Sequence, residues 1–344
     1  MATEDRKPDA LCIFSLNKKL EAFGCADLRK YFDTNGEMEN LKVAVVSIAG
    51  MWRSERRFLL SCIIRYLRSG GAPDWFHARK QAEAVKWENF PEGVALWPEI
   101  FKVRQLNGED VAVLVMDTQG LYGTKNASAE STAVLCFSVL LASIQIYNVY
   151  QHIRGTDLYA FENFLKFVSK SVFRAPLGQK LVFVVSDWPV SLKYPYGWEG
   201  GQDVLQEELF REGHGAPTSQ FLKIGRCIKK TFTSVQCYLM PYPGEDLVCS
   251  ACEQDNKGKR ERYKRMKTDF VCHVAEFIES LIELKSLIPK KINGVELTLR
   301  EFFRRVELYE RVLGSGHTLA RQALSKSRYS DDSSVTRRHC CVCC

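Results

Sequence analysis

Four short apolar runs rich in β-branched residues punctuate the chain: LKVAVVSIAG at 41–50, DVAVLVMDTQG at 110–120, KLVFVVSDW at 180–188 and VQCYLMPYPG at 235–244. Their apolar positions are nearly continuous rather than alternating, the pattern of strands covered on both faces, and segments of helical period lie between them. The expected fold class is therefore α/β, a doubly wound, mostly parallel sheet with helices on both sides. Helices are predicted over 58–68, 131–148, 157–173, 202–212, 218–231 and 264–287. The apolar stretch 133–150 is broken by Ser138, Ser143, Gln145 and Asn148 and reads as one buried helix. A membrane span needs about 20 predominantly apolar residues, so no crossing of a bilayer is expected.

All four runs end in polar or glycine-containing turns, at Gly50, Asp117 to Gly120, Ser186 to Asp187, and Pro241 to Gly244. In an open α/β sheet the ligand crevice lies outside the carboxyl ends of the strands, so four such ends point to a nucleotide site. After about residue 292 the pattern changes to NGVELTLREFFRRVELYERVLGSG, in which Leu299, Phe302, Phe303, Val306, Leu308 and Leu313 suit one amphipathic helix. The closing SKSRYSDDSSVTRRHCCVCC is polar and Ser-rich and is expected to be disordered up to its cysteines. The expected division is a lead-in over 1–40, a main α/β domain over 41–290, a short helical segment over 291–325 and a Cys-rich tail over 326–344.

Composition adds two points. With 344 residues, 46% hydrophobic and 26% charged, the chain can bury one large core or two modest ones, and disorder is excluded as the dominant state. The net charge of +7 is uneven, because KGKRERYKRMK at 257–267 concentrates seven cations. Such a run is either a solvated face or a contact for an acidic membrane surface or another anionic partner; no nucleic acid partner is expected. The start of the sequence has no basic segment followed by an apolar one, so no secretory address is expected. Thirteen cysteines then imply a reducing compartment and mostly free thiols. Cys249-x-x-Cys252 and Cys272–His273 have only loose zinc-like spacing.

Taken in order, VAVVSIAG, VLVMDTQG at 113–120, SIQIYNV at 143–149, VSDWPVSLKYPYGWEGG at 185–201 and CYLMPYPG at 237–244 resemble the G domain of the atlastins, in the dynamin-like superfamily with the guanylate-binding proteins. The likeness runs from about residue 10 to residue 313. It implies GTP or GDP and Mg2+ as cofactors, pairing with a second G domain of the same kind as homodimer or heterodimer, and a place at the cytosolic face of the endoplasmic reticulum. It also makes the helical segment a shortened middle domain.

A working phosphate loop reads G-x-x-x-x-G-K-[ST]: glycines let backbone N–H groups wrap the phosphates, the lysine reaches them, and the hydroxyl ligates magnesium. Here Gly50 opens the pattern and is followed by Met51, Trp52, Arg53, Ser54, Glu55, Arg56 and Arg57. Glu55 stands at the second glycine, Arg56 at the lysine and Arg57 at the metal-ligating hydroxyl. Two like charges at ~4 Å repel by about 4 kcal/mol at an effective dielectric of 20, so Glu55 opposes a polyphosphate. Arg57 cannot ligate a metal. Pro91 and Glu92 fall where the resemblance places first-switch threonines.

Other positions keep the pattern. The resemblance assigns nucleotide contacts to Gly50, Arg53, Ser54, Arg56, Asp117, Gly120 and Asp187. Within that set Arg53 is an internal finger on the transition-state charge, Asp117 holds magnesium through water, Gly120 meets the γ-phosphate and Asp187 recognises guanine. Ser186 replaces the arginine that precedes this aspartate in the family. The terminal Cys340, Cys341, Cys343 and Cys344, beside Arg337 and Arg338, resemble the lipidated double-cysteine endings of Rab-type GTPases. A lipid tail is the expected peripheral membrane anchor. The expectation is a guanine-nucleotide-binding G-domain protein with weak or lost GTP hydrolysis. The alternatives are a non-hydrolysing partner that regulates an active atlastin, or a lipid-tethered interaction module.

Overall fold

A computed structural model describes residues 10–15, 22–32, 36–50, 53–76, 93–119, 129–155, 157–158, 161–164, 177–189, 193–211, 219–244 and 266–314. Its central sheet has eight strands: β1 (Leu11–Phe14), β2 (Lys42–Gly50), β3 (Gly93–Leu96), β4 (Phe101–Arg104), β5 (Asp110–Gln119), β6 (Ile144–Tyr150), β7 (Gly178–Ser186) and β8 (Phe232–Leu239). The order is β1-β3-β5-β2-β6-β7-β8. The five strands from β5 to β8 run parallel. β3 and β4 share the outer edge of β5, antiparallel to it, β3 against residues 116–119 and β4 against 110–113. The α/β class with a mostly parallel sheet is as the sequence predicts.

The continuous apolar runs have a direct cause. Along β2, Val43, Val45 and Ala49 enter one buried cluster while Ala44, Val46 and Ile48 enter the other; β5 divides in the same way, with Ala112, Leu114 and Met116 against Val111, Val113 and Val115. Each face is covered by helices. One carries α4 (Ala129–Leu141) and, through Phe302, Phe303 and Val306, the helix α8 (Leu299–Gly314); the other carries α3 (Arg53–Ser69) and α7 (Thr268–Leu281). The short α1 (Cys25–Tyr31) and α2 (Gly36–Glu39) precede β2, while α5 (Trp198–Leu205) and α6 (Ser219–Thr231) pack beside β8.

Helix α8 is thus part of the core. Phe302 and Phe303 are fully buried, worth about 1.5–3 kcal/mol for each side chain removed from water. It is tied down at its start as well. Lys290 lies before a two-stranded hairpin, β9 (Lys291–Ile292) with β10 (Val295–Glu296). Its backbone N–H donates to Val43 O at 2.7 Å, and its fully buried ammonium donates to Ala142 O at 2.8 Å, just past the end of α4. The position suits a cation, since carbonyls at a helix C-terminus lack internal partners. Burial without a facing carboxylate nevertheless pushes the lysine down to about 7.

The structure corrects several expectations. The stretch 133–150 is not one helix: α4 stops at Leu141 and β6 begins at Ile144. The break is Ser143, whose N–H and hydroxyl both meet Val45 O, at 2.9 and 3.0 Å, while the same hydroxyl accepts from Val45 N–H at 2.9 Å. A buried strand following a buried helix offers no polar face, so periodicity cannot separate them. The helix placed at 58–68 begins at Arg53, and the one placed at 264–287 covers Thr268–Leu281. The helix placed at 202–212 starts at Trp198, and its last turn, Gln206–Phe210, is π-helical. That placed at 218–231 is observed as Ser219–Thr231. For 157–173, residues 157–158 and 161–164 are helical and the remainder lies outside the described residues. Strands β1, β3 and β4 and the hairpin were not foreseen. Among the described residues no helix is long and apolar enough to cross a membrane.

Candidate functional site

The carboxyl ends of β2, β5, β6 and β7 meet at one edge of the sheet, with the N-terminus of α3 directly above β2. Gly50 closes β2 at φ +143°, where an added Cβ would lie 2.4 Å from Asn148 O. Only glycine meets that conformation without strain. Three residues later, at Arg53, α3 begins, so Glu55, Arg56 and Arg57 all sit in helix.

Arg56 points into the protein. It is 3% exposed and Asp117, at the end of β5, is 0% exposed. The guanidinium Nε donates to Asp117 Oδ1 at 2.6 Å and Nη1 donates to Gly50 O at 2.7 Å. The other carboxylate oxygen, Oδ2, accepts from Gln119 Nε2 at 2.8 Å. Both oxygens of Asp117 are therefore engaged by side chains of this protein.

Glu55 turns the other way, across the crevice floor. Its Oε2 accepts from Asn148 Nδ2 at 3.0 Å, and Asn148 Oδ1 accepts from the Ser186 hydroxyl at 2.6 Å, which links α3, β6 and β7. Burial raises the Glu55 carboxyl above its usual range; hydrogen bonding from Asn148 and Ser186 offsets part of this, and the nearby charge of Asp187 adds to it. Asp187 follows β7 in a left-handed conformation, φ 54°. Its Oδ2 accepts from Gln151 Nε2 at 2.9 Å. The Tyr150 hydroxyl also donates to Asp187, and that hydrogen bond, with burial, pushes the phenol up to about 12.

Beneath the crevice lies a buried polar network. Ser47 Oγ meets Ser138 Oγ at 2.8 Å and Thr118 Oγ1 at 3.2 Å, Thr118 meets Ser138 at 2.8 Å, and Ser138 donates to Gln145 Oε1 at 2.7 Å. These residues, with Asn148, Tyr150, Gln151 and Gln119, form the part of the site that the sequence reading missed. The signal was present: each is a polar residue inside or just after an apolar run, and buried polar groups need partners.

Of the residues assigned by resemblance, Gly50, Arg56, Asp117 and Asp187 converge on this edge. Arg53 and Ser54 open α3, but their side chains lie outside the described residues, as do Gly120, Pro91, Glu92 and the four terminal cysteines. Cys249 and Cys252 lie outside them too. His273 faces the Tyr238 hydroxyl at 3.0 Å, and among the described residues no group of three or more His, Cys, Asp or Glu is arranged to hold a metal ion.

The arrangement does not fit magnesium. That ion takes near-octahedral oxygen ligation, supplied in phosphate-loop enzymes by a loop hydroxyl, an acid acting through water and the nucleotide. Here the acid accepts two N–H donors, and arginine stands where the hydroxyl belongs. Glu55, where the pattern has a glycine, is tied by its side chain to Asn148 Nδ2 at 3.0 Å.

The family model "Guanylate-binding protein, N-terminal domain" matches residues 27–291. Among curated proteins the chain is similar to Atlastin-1 of Rattus norvegicus, 30% identical over 281 residues, covering 78% of this chain and 49% of the relative. It is also similar to Atlastin-3 of the same species, 28% identical over 326 residues, 90% of this chain and 59% of the relative. Atlastin-2 of Macaca fascicularis is 26% identical over 283 residues, 80% and 48%. The chain thus spans about half the length of the curated relatives it matches. A matched region that takes in β2, β5, β6, β7 and the crevice at their ends, on a mostly parallel α/β sheet, means that this chain belongs to the guanylate-binding-protein family of large GTPases, with an atlastin-like G domain.

Proposed function

We propose that this chain is a G-domain protein whose GTP hydrolysis is weak or lost, and which acts by pairing through its G domain, over about 41–290, with an active atlastin-type G domain and limiting it. The observation that carries this reading is the buried Arg56–Asp117 pair: the carboxylate that would organise the metal and the attacking water is committed to a neighbouring side chain. Glu55 on the crevice floor and Ser186 in place of the guanine-side arginine support it. In this reading Arg53 is a relic of the transition-state finger, and guanine nucleotide, if held, is held through Gly50, Ser54, Gly120 and Asp187.

The test is phosphate release with GTP and Mg2+, together with calorimetry of GTP, GDP and a non-hydrolysable analogue and co-sedimentation with a catalytic atlastin. The expected result is release at or barely above a buffer blank and unchanged by Arg53→Ala, with co-sedimentation retained. Magnesium-dependent release that falls when Arg53 is changed to Ala overturns the reading.

The membrane part of the proposal, at the cytosolic face of the endoplasmic reticulum, rests on the tail after the short helical segment, taken as 291–325. Two lipid chains, or one with a basic patch, give stable attachment, and Cys340, Cys341, Cys343 and Cys344 beside Arg337 and Arg338 supply both. Mass spectrometry of the C-terminal peptide from cells is expected to find at least one modified thiol; four unmodified thiols remove the tether.

A further inference from the structure

We propose that the Arg56 guanidinium is the crevice's own cation, a built-in substitute for a divalent ion at Asp117 that leaves the site blind to magnesium. The inference rests on the reading of this crevice as a nucleotide site that has lost turnover, and it names what took the place of the metal.

Three observations converge. Asp117 is fully buried and gives one oxygen to Arg56 Nε at 2.6 Å and the other to Gln119 Nε2 at 2.8 Å. The same guanidinium holds Gly50 O at 2.7 Å, so one charged group joins the first turn of α3, the end of β2 and the end of β5. Finally, Arg56 itself is buried, 3% exposed, with its guanidinium held by Asp117 and Gly50 O. Arginine stays charged at any working pH and has donors only, so it neutralises the carboxylate permanently.

A divalent ion arriving at Asp117 has to displace this group. The displaced guanidinium would remain buried without a counter-charge, the costly arrangement for an ion pair. Nor does the next position help the ion, since Arg57 brings a second cation where a hydroxyl ligand belongs.

The consequence concerns conformation as well as affinity. In GTPases the segments around the γ-phosphate are ordered by the phosphate and its magnesium and released on hydrolysis. Here the link from α3 to β5 comes from a side chain and does not depend on what is bound. The G domain is therefore held in one arrangement, which suits a protein that pairs without cycling.

The experiment uses the full chain and two probes, Mg2+ and Mn2+, without nucleotide. Free Mn2+ is followed by electron paramagnetic resonance, and thermal melting is compared in EDTA and in millimolar Mg2+ or Mn2+. The wild type is expected to take up no Mn2+ at Asp117 and to melt at the same temperature in both conditions. Arg56→Ala, which frees the carboxylate, is expected to melt lower in EDTA and to recover part of the loss in Mn2+. The recovery should vanish in the double variant Arg56→Ala/Asp117→Asn.

Mn2+ uptake by the wild type that Asp117→Asn abolishes overturns the proposal, and so does an Arg56→Ala protein whose melting ignores the ion. If Arg56→Ala does not fold in EDTA, its refolding yield carries the test: a yield raised by Mn2+ supports the substitution, an equal yield overturns it. The two proposals fail separately. A wild type that takes up Mn2+ at Asp117 but releases no phosphate sinks the substitution alone, whereas a metal-silent wild type that turns over GTP sinks the loss of turnover alone.

Discussion

Replacing Asp117 by leucine is expected to destabilise the protein by about 3–5 kcal/mol, the range for breaking one side of a buried ion pair. The loss comes from the group left behind. Arg56 keeps only its hydrogen bond to Gly50 O, its charge stays in a buried site, and Gln119 loses its acceptor. The companion expectation is that Asp117→Leu/Arg56→Met recovers most of that loss, because exchanging a whole buried pair for apolar groups of similar volume is often neutral or stabilising. Urea melts of wild type, the two single variants and the double variant read both statements as one cycle. A single-variant cost below about 1 kcal/mol would mean that Arg56 escapes to water and that the pair is not the lock described above.

The second large effect belongs to Lys290 and depends on pH. Burial lowers this lysine from its ordinary 10.5 to about 7 in the folded protein. Between those two values the unfolded chain binds the proton and the folded one does not, so the linkage slope is positive and stability rises with pH through the window. Below about 7 both states are protonated and the penalty of the buried charge is fully present. At about 1.36 kcal/mol for each pKa unit the swing is on the order of 3–5 kcal/mol. Other groups titrate in the same range, so the readout is the difference between wild type and Lys290→Met. That difference is expected to move in favour of the wild type as pH rises from 7 to 10.5, offset throughout by the loss of the hydrogen bond to Ala142 O. A difference that stays flat across the window contradicts a buried, depressed lysine. The location gives the effect a reach beyond one side chain, since Lys290 also fastens to Val43 O the segment that leads into α8.

How far the sequence alone carried this far can be seen at particular residues. Four of the five parallel strands, β2, β5, β7 and β8, were legible because each divides its side chains between two buried clusters, which leaves a nearly unbroken apolar run. The short antiparallel strands were not: β1, β3 and β4 have four residues each, too few to establish a period even where β4 alternates as Phe-Lys-Val-Arg. The helix over 299–314 was legible from Leu299, Phe302, Phe303 and Val306, but that it covers the same face as α4 was not. The order of the motifs singled out Gly50, Arg56, Asp117 and Asp187, which lie together at the carboxyl ends of β2, β5 and β7. What each touches was not legible there, and Arg56, expected beside a phosphate, faces a carboxylate instead.

By itself the sequence determined the class of the fold and the three positions, Glu55, Arg56 and Arg57, that depart from a phosphate-binding pattern. Those properties depend on residues close together along the chain, where apolar period and turn chemistry act directly. The tertiary structure alone decided that Arg56 pairs with Asp117 across 61 positions, that Glu55 reaches Asn148 across 93, and that Lys290 meets the end of α4 across 148. Charge and hydrogen bonding act over a few ångströms of space, and only the packed sheet brings those side chains within that range.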